Sequence, residues 1–176
     1  SVASAAPSVV IIDDGAAGYS TVGSWSVADN QGYQGDVRWA TKGSGSTKSI
    51  WTFSNLVSGS YRVSATWTHY SNRATDSPFT IKDGGTTLGT VRLNQEPSPV
   101  GFTADGVTWQ DLGGPYSISG DMLVVELANN ANEFVIADAI RIEALAPPTP
   151  APEIQVLDGS VNIADDVGAS NFGSVA

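Results

Sequence analysis

Residues 133–143, EFVIADAIRIE, form the most strand-like run in the chain, yet an aspartate and an arginine stand within it. Side chains along a β-strand alternate between its two faces. The alternation predicts that Asp138 shares an apolar face with four large residues. Arg141 is expected on the opposite face with Glu143, where it is either solvated or paired across strands. A buried carboxylate is costly unless a cation, a metal ion or hydrogen-bond donors meet it. Asp138 is therefore expected to be a catalytic acid, a metal ligand or a satisfied structural anchor.

Alternating runs of this kind recur along most of the chain and are separated by clusters of Gly, Asn, Asp, Ser and Pro. Such a pattern predicts an all-β domain, and about nine strands with closely spaced turns favour a β-sandwich or jelly roll. The segment Asp83-Gly84-Gly85 predicts a tight hairpin, because glycine readily adopts positive φ angles. The predicted strands cover residues 8–13, 36–40, 47–53, 60–70, 78–82, 86–94, 107–112, 121–128 and 133–143.

A proline-rich segment divides the chain. The alternation ends near Leu145 and is followed by APPTPAP at residues 146–152, a composition typical of an extended, semi-rigid linker. We therefore predict a flexible N-terminal segment at 1–7, a β-sandwich at 8–145, this linker, and an incomplete β segment at 153–176. The last segment is too short to bury a core of its own.

Charge and composition exclude several classes of partner. The chain carries 18 acidic and 8 basic residues, a formal net charge of −10. This balance argues against a nucleic-acid partner, because phosphate backbones are bound by basic surfaces. The longest aliphatic run, at residues 9–12, is too short to cross a bilayer, so we expect no membrane insertion. Cysteine is absent, which excludes disulfides and thiolate chemistry.

The motifs of common enzyme classes are missing. His69 is the only histidine, and the sequence contains no nucleophile elbow, no phosphate-binding loop and no zinc-binding spacing. The pairs Asp13-Asp14 and Asp165-Asp166 offer two carboxylates each, as glycoside cleavage requires. Adjacent residues on a strand point to opposite faces, however, so each pair is expected to split. We predict that the chain is not an enzyme.

Eight segments, taken together and in order, carry a resemblance to a known family. They are DDGAAGYSTVGSW (13–25), GYQGDVRWA (32–40), SIWTF (49–53), GSYRVSATW (59–67), NRATDSPFTI (72–81), LGTVRLNQ (88–95), VTWQDLGGPYSI (107–118) and FVIADAIRIE (134–143). They resemble the golvesin or xanthan-lyase C-terminal domain, a domain of secreted bacterial proteins similar to carbohydrate-binding modules (CBMs). The resemblance covers about residues 9–143 and implies a non-catalytic, CBM-like β-sandwich appended to larger exported proteins, with polysaccharide as the expected ligand.

The tail beyond the linker is similar to the opening of a choice-of-anchor D domain, which is immunoglobulin-like. The similar features are a PEI-x-V strand, an aspartate-containing turn and the segment FGSV. The tail is either such a domain cut short or a strand donated to a neighbouring copy, with Ile154, Val156, Val161 and Ile163 as the assembly residues.

Aromatic rings stack on sugar faces and supply contact area at low entropic cost. Trp51 and Trp67 share strand faces with apolar residues, so we assign them to the core. We expect Tyr19, Tyr33 and Tyr70, which lie in loops or at a strand end, to be exposed and to be the candidate carbohydrate-binding residues. Local packing of these tyrosines is the alternative.

A partner is also expected for Asp138. We predict that Arg73 or Arg38 lies near it as an ion pair, because a planar guanidinium can satisfy a buried acid, although Arg73 could instead hold a ligand carboxylate. The resemblance to carbohydrate-binding jelly rolls implies a competitor, a structural Ca²⁺ with Asp13 or Asp14 and Asp138 as ligands. No other cofactor is expected.

Two functions of different class follow. The first is a secreted, adhesive or polysaccharide-binding module at a bacterial cell surface. The second is a structural subunit of an extracellular fibre or matrix, in which the partners are copies of the same chain. The start at Ser1, with methionine only at Met122, indicates a processed or excised segment and fits an exported chain.

Overall fold

The computed structural model describes residues 8–146 and the backbone of two short strands in the tail. All the regular structure in these residues is β-strand, and every pairing between strands is antiparallel. The predicted all-β sandwich is confirmed. The strands are β1 Val9–Ile12, β2 Tyr19–Val22, β3 Ser26–Asp29, β4 Asp36–Ala40, β5 Lys48–Phe53, β6 Gly59–Ala65, β7 Ser77–Asp83, β8 Thr86–Leu93, β9 Phe102–Ala104, β10 Val107–Asp111, β11 Tyr116–Ile118, β12 Leu123–Ala128, β13 Val135–Ala137, β14 Ile140–Ala144, β15 Leu157–Asp158 and β16 Val161–Asn162.

Two large sheets and one small sheet build the domain. The first large sheet has the order β1-β14-β6-β10-β9, with β11 also paired to β6, and the second has the order β2-β5-β12-β7-β8. The small sheet has the order β13-β4-β3. In the tail, β15 pairs with β16 as a separate two-stranded unit.

The core lies between the inner faces of the two large sheets. Along β5 and β12, alternate residues are buried, and Trp51, Phe53, Val125 and Leu127 are at most 2% exposed. Their neighbours on the outer face include Glu126, which accepts hydrogen bonds from two lysines. The two-residue period in the sequence therefore gives each of these strands one apolar face and one polar face. Burial of the apolar faces stabilises the sandwich.

The run 133–143 is not one strand. It divides into β13, which pairs with β4 in the small sheet, and β14, which pairs with β1 and β6 in the first large sheet. Asp138 and Ala139 form the crossing between them, and their carbonyl groups accept hydrogen bonds from the indole of Trp51 and the amide of Thr66. The carbonyl groups at the break are thus satisfied from outside the run.

Of the two alternatives predicted for Arg141, solvation is wrong and the side chain is instead buried and paired. Arg141 is only 7% exposed, and its guanidinium lies near Asp105 and Glu143 and over the ring of Phe102. Both faces of this part of the domain are covered, because the β9–β10 hairpin lies over the outer side of the sheet. The alternation of side chains along one strand does not show whether another element packs on its outer face.

Most predicted strands are confirmed with shifted ends, and the Gly84-Gly85 hairpin joins β7 to β8 as expected. The count of about nine is too low, because β2, β3, β9 and β11 have only three or four residues each. The predicted strand 60–70 ends at Ala65, and residues 66–70 form a loop at the end of the sandwich.

The segment 1–7 and nearly all of the linker 146–152 lie outside the described residues. In the tail, only β15 and β16 are described, so Ile154, Val156 and Ile163 lie outside the described residues, and Val161 is described by its backbone alone. Among the described residues, no helix is long and apolar enough to cross a bilayer.

Trp51 is the residue that ties the strand crossing to the core, since its side chain is fully buried and its indole N–H donates to the Asp138 carbonyl at 3.2 Å. We expect Trp51→Phe to lower the free energy of unfolding by about 2–4 kcal/mol, because it removes a buried hydrogen bond and leaves a cavity. Urea unfolding measures this loss.

Trp25→Phe is the matched control. Trp25 also packs against the core, but its indole nitrogen has no hydrogen-bond partner. The control is expected to cost less than Trp51→Phe, and equal losses would show that the Trp51 hydrogen bond contributes nothing particular.

Candidate functional site

Three carboxylates meet at one end of the sandwich. Asp13 and Asp14 follow β1 directly, and Asp36 is the first residue of β4. One oxygen of each lies within 4.8 Å of the others, so their spacing suits metal coordination. The expectation that Asp13 and Asp14 split to opposite faces is wrong, because β1 ends at Ile12 and the chain turns there. We call Asp13, Asp14 and Asp36 the acidic cluster.

Burial raises the pKa of the acids at this end of the molecule. The pKa of Asp13 rises to about 6 and that of Asp14 to about 7, chiefly through desolvation and further through the charges of neighbouring aspartates. Asp138 is 2% exposed, and desolvation together with the charges of Asp14 and Asp13 raises its pKa to about 8. The site therefore holds protons, or needs positive charge, at neutral pH.

The predicted ion pair of Asp138 with Arg38 or Arg73 is wrong. In the described part of the chain, Arg38 lies 3.2 Å from Asp14 instead, and Arg73 has no carboxylate partner. One oxygen of Asp138 accepts the backbone N–H of Tyr33 at 2.9 Å, whereas Oδ2 is buried without a partner. Asp138 is an anchor held by backbone donors rather than by a cation.

The acidic cluster fits a calcium ion. Both side-chain oxygens of Asp14 are buried without a hydrogen-bond partner, and the cluster offers only oxygen ligands, which Ca²⁺ prefers. Asp13, Asp14 and Asp36 would hold the ion, which would add positive charge to that of Arg38, the one cation within 4.0 Å of the cluster among the described residues. Asp36 was not predicted as a ligand, and Asp138 lies outside the group with ligand spacing. Asp36 pairs with Asp29 across β3 and β4, and this strand pairing, which fixes the position of Asp36, exists only in the folded chain.

An open cleft of about 370 Å³ adjoins these acids. Asp138 and Gly32 line it on the side of the acids, and Trp67 and His69 line it from the loop after β6. The remaining lining is rich in hydroxyl groups, from Thr66, Thr68, Ser98, Thr103 and Thr108. Most of these residues were not singled out in the sequence, because isolated threonines in loops and short strands carry no recognisable spacing.

Of the three predicted tyrosines, only Tyr70 is exposed. Tyr19 packs against Trp51 with ring centroids 5.4 Å apart, and burial raises its pKa to about 12, so its predicted exposure is wrong. Tyr33 is half-buried against Trp109. Tyr70 is 56% exposed, as predicted, and its ring stacks on that of His69 at the edge of the cleft.

Fold and site together define a β-sandwich module with an open, hydroxyl-lined cleft beside a buried acidic cluster. The chain belongs to the Golvesin C-terminal domain family, whose profile matches residues 10–144. The resemblance noted for residues 9–143 is thereby confirmed, whereas the resemblance of the tail to a choice-of-anchor D domain stays a prediction. No curated protein gives a significant match.

Three solved structures are similar to this chain to different degrees. A xanthan lyase from Paenibacillus matches with a TM-score of 0.64 and 29% identity over 78% of this chain and 13% of that chain. An exo-β-1,3-galactanase from Phanerochaete chrysosporium matches with a TM-score of 0.51 and 13% identity, over 77% and 29% respectively. The C-terminal CBM6 of LamC from Zobellia galactanivorans matches with a TM-score of 0.48 and 13% identity, over 77% and 98%. This chain thus spans a small part of the first two.

Without divalent ions, the protein is expected to lose stability as the pH rises from about 4 to about 8. Asp13, Asp14 and Asp138 have pKa values near 3.8 in the unfolded chain and higher pKa values in the folded protein. Their protonated forms therefore stabilise the fold fully below pH 3.8, and this stabilisation is lost as the pH rises through the folded pKa values. Asp138→Asn removes one ionisation and should raise the free energy of unfolding at pH 8 by about 1–3 kcal/mol. Urea unfolding across this pH range measures both effects.

The exposed Asp121→Asn substitution is the control, and it should leave the pH dependence unchanged. A marked loss of stability in Asp138→Asn at pH 8 would mean that the Asp138 carboxylate is ionised and paired, against the contacts described above.

Calcium is expected to raise the melting temperature of the wild-type protein. An ion that binds only the folded state at roughly a hundred times its Kd adds about 3 kcal/mol to the free energy of unfolding. Asp36→Asn should weaken this effect, because it removes a ligand of the acidic cluster, whereas Asp121→Asn should preserve it. Melting curves in calcium, magnesium and EDTA test the site, and identical curves in all three would exclude it.

Proposed function

We propose that the chain is a non-catalytic polysaccharide-binding module, and that the cleft beside Asp138 is its binding site. The observation that carries this proposal is the lining of the cleft by hydroxyl, imidazole and backbone groups at the end of a rigid sandwich. Sugars are recognised by hydrogen bonds from such groups together with contact against flat surfaces. A cleft open to solvent also allows a long polymer to enter and leave.

The relationship to the xanthan lyase supports a polysaccharide ligand. This chain corresponds to 13% of that enzyme, so the shared part is a small portion of a larger protein that acts on a polysaccharide. A portion of this kind can hold the enzyme near its substrate without taking part in cleavage. The activity and substrate of the whole lyase are properties of that protein.

The composition of the cleft argues against catalysis. Glycoside cleavage by general acid and nucleophile or base requires two carboxyl groups on either side of the scissile bond. Asp138 is the one carboxyl group among the described residues that line the cleft, and it is nearly inaccessible to solvent. None of the three residues of the acidic cluster lines the cleft, and Asp13 and Asp14 are buried. Binding without chemistry is the function that this arrangement supports.

The cleft can be blocked without disturbing the core. Thr103 is an exposed residue of the short strand β9 and lines the cleft. We expect Thr103→Trp to fill the cleft and to weaken glycan binding at least tenfold, a loss of about 1.4 kcal/mol. A glycan array followed by titration calorimetry on the bound glycans measures the loss.

Thr90→Trp is the matched control, because Thr90 is an exposed threonine on the edge strand β8, away from the cleft lining. It should bind as the wild type does. Equal binding by both variants would place the site elsewhere, and absence of binding to every neutral and acidic glycan would refute the proposed function.

Export to a bacterial cell surface is part of this proposal, since an extracellular polysaccharide is met there. Assembly into a fibre by strand donation stays the alternative. One observation favours it: β1 is an edge strand whose Val9 and Val10 are each 42% exposed, so a donated strand could pair there. Within the described tail, however, β15 pairs with β16.

Strand donation predicts concentration-dependent oligomers that disappear when residues 153–176 are removed. Size-exclusion chromatography with light scattering on the full and shortened chains tests this. Monomers in both cases would reject assembly through the tail and leave glycan binding unaffected.

A further inference from the structure

Arg73 differs from every other cation in the described part of the chain. The other seven lysines and arginines each lie within 4.0 Å of a carboxylate, from the Arg38–Asp14 pair to the Arg141–Glu143 pair. Arg73 has no such partner. In a domain with an excess of acids, an arginine without an acid is the exception, and it marks a position where positive charge is kept free.

Most hydrogen-bond donors of the Arg73 guanidinium also lack an acceptor among the described residues. Its one hydrogen bond from the guanidinium runs from Nη1 to the side-chain oxygen of Asn72 at 3.3 Å, and its Nε is buried without an acceptor. Arg38 and Arg141 likewise have an Nε outside good hydrogen-bond geometry, but a carboxylate oxygen lies 3.2 and 3.4 Å away from each. At Arg73 the corresponding acid is missing. Partial burial lowers the pKa of Arg73, so the free guanidinium carries a desolvation cost that an incoming anion would offset.

Arg73 does not line the cleft itself but is connected to it through the rings of Tyr70 and His69. Its guanidinium carbon lies 5.0 Å from the centroid of the Tyr70 ring, and the Tyr70 ring stacks on His69, which lines the cleft. The amide of Arg73 donates to the Tyr70 carbonyl, and a bridge to Phe134 holds the backbone. The residue is therefore fixed on a short loop that leads from the cleft to the end of β13.

We propose that Arg73 binds the carboxylate of a uronic acid residue in a polysaccharide whose neighbouring sugar occupies the cleft. This inference rests on the proposed function and adds the chemical class of the ligand. A guanidinium binds a carboxylate through two parallel hydrogen bonds, and it discriminates between a uronic acid and the corresponding neutral sugar. The mostly acidic surface disfavours densely charged polymers, so the site suits carboxylates spaced along an otherwise neutral chain.

The test uses hyaluronan, alginate and polygalacturonate, each in its native form and after chemical reduction of its carboxyl groups. The wild-type protein should bind at least one native polymer about tenfold or more tightly than its reduced form, with hyaluronan favoured because its carboxylates alternate with neutral sugars. Arg73→Gln should abolish this difference and leave binding of the reduced polymer unchanged. Arg73→Lys should retain part of it, since it keeps the charge but loses the planar pair of donors.

Lys82→Gln is the charge-matched control. It removes one positive charge from the outer face of the second large sheet, where Lys48 still pairs with Glu126. It should bind native and reduced polymers as the wild type does. A parallel change in Lys82→Gln would show that overall charge, rather than Arg73, sets the preference.

The outcomes separate this inference from the proposed function. Binding of neutral glycans with no preference for any native uronate polymer would overturn the role of Arg73 and leave the proposed function intact. Equal losses of native and reduced binding in Arg73→Gln, with a lower melting temperature, would show that Arg73 only supports the loop, and would also overturn it. Failure to bind every glycan would remove the proposed function itself.

Discussion

The break between β13 and β14 is the constraint on which the site depends. The chain must cross from the small sheet to the first large sheet, and the residue at the crossing is an aspartate that is 2% exposed. Its carbonyl binds the central tryptophan of the core, and one side-chain oxygen binds the loop that carries Tyr33. The same residue thus joins two sheets, the core and a surface loop. A free carboxylate at this point costs folding energy, and that cost, together with the charges of Asp13 and Asp14, raises the pKa of Asp138.

This arrangement places a cleft lined mainly by uncharged groups close to a group of buried carboxyl groups. Asp138 lies between them, with one side toward the hydroxyl-lined cleft and its charge coupled to Asp13 and Asp14. Proton or metal binding in the acidic cluster therefore acts on the residue that borders the cleft. The loop from Thr66 to Arg73 extends the same edge outward and ends in the one cation of the described residues that has no acid partner. The buried acids and the proposed binding cleft thus share Asp138 as a common border.

The sequence indicated the fold class well, because most strands are long enough to show a period of two and are bounded by turn residues. Strands of three or four residues, such as β9 and β11, were missed, since so few positions cannot establish a period. Asp138 was correctly predicted to be buried. Its partner and the burial of Arg141 were not predicted, because both depend on which elements cover a strand from outside. The cleft was hidden for a related reason: its threonines come from separate elements that meet only in the folded chain.

The central claim is that Asp138 is a buried carboxyl group without a cationic partner. Carbon-13 NMR of the aspartate side-chain carboxyl groups, with Asp138 assigned by comparison with Asp138→Asn, follows its ionisation directly. In the absence of divalent ions, the account predicts a pKa near 8 for Asp138. A pKa at or below 3.8, the value of an unperturbed aspartate, would contradict it and would show that a cation or further donors satisfy the carboxylate.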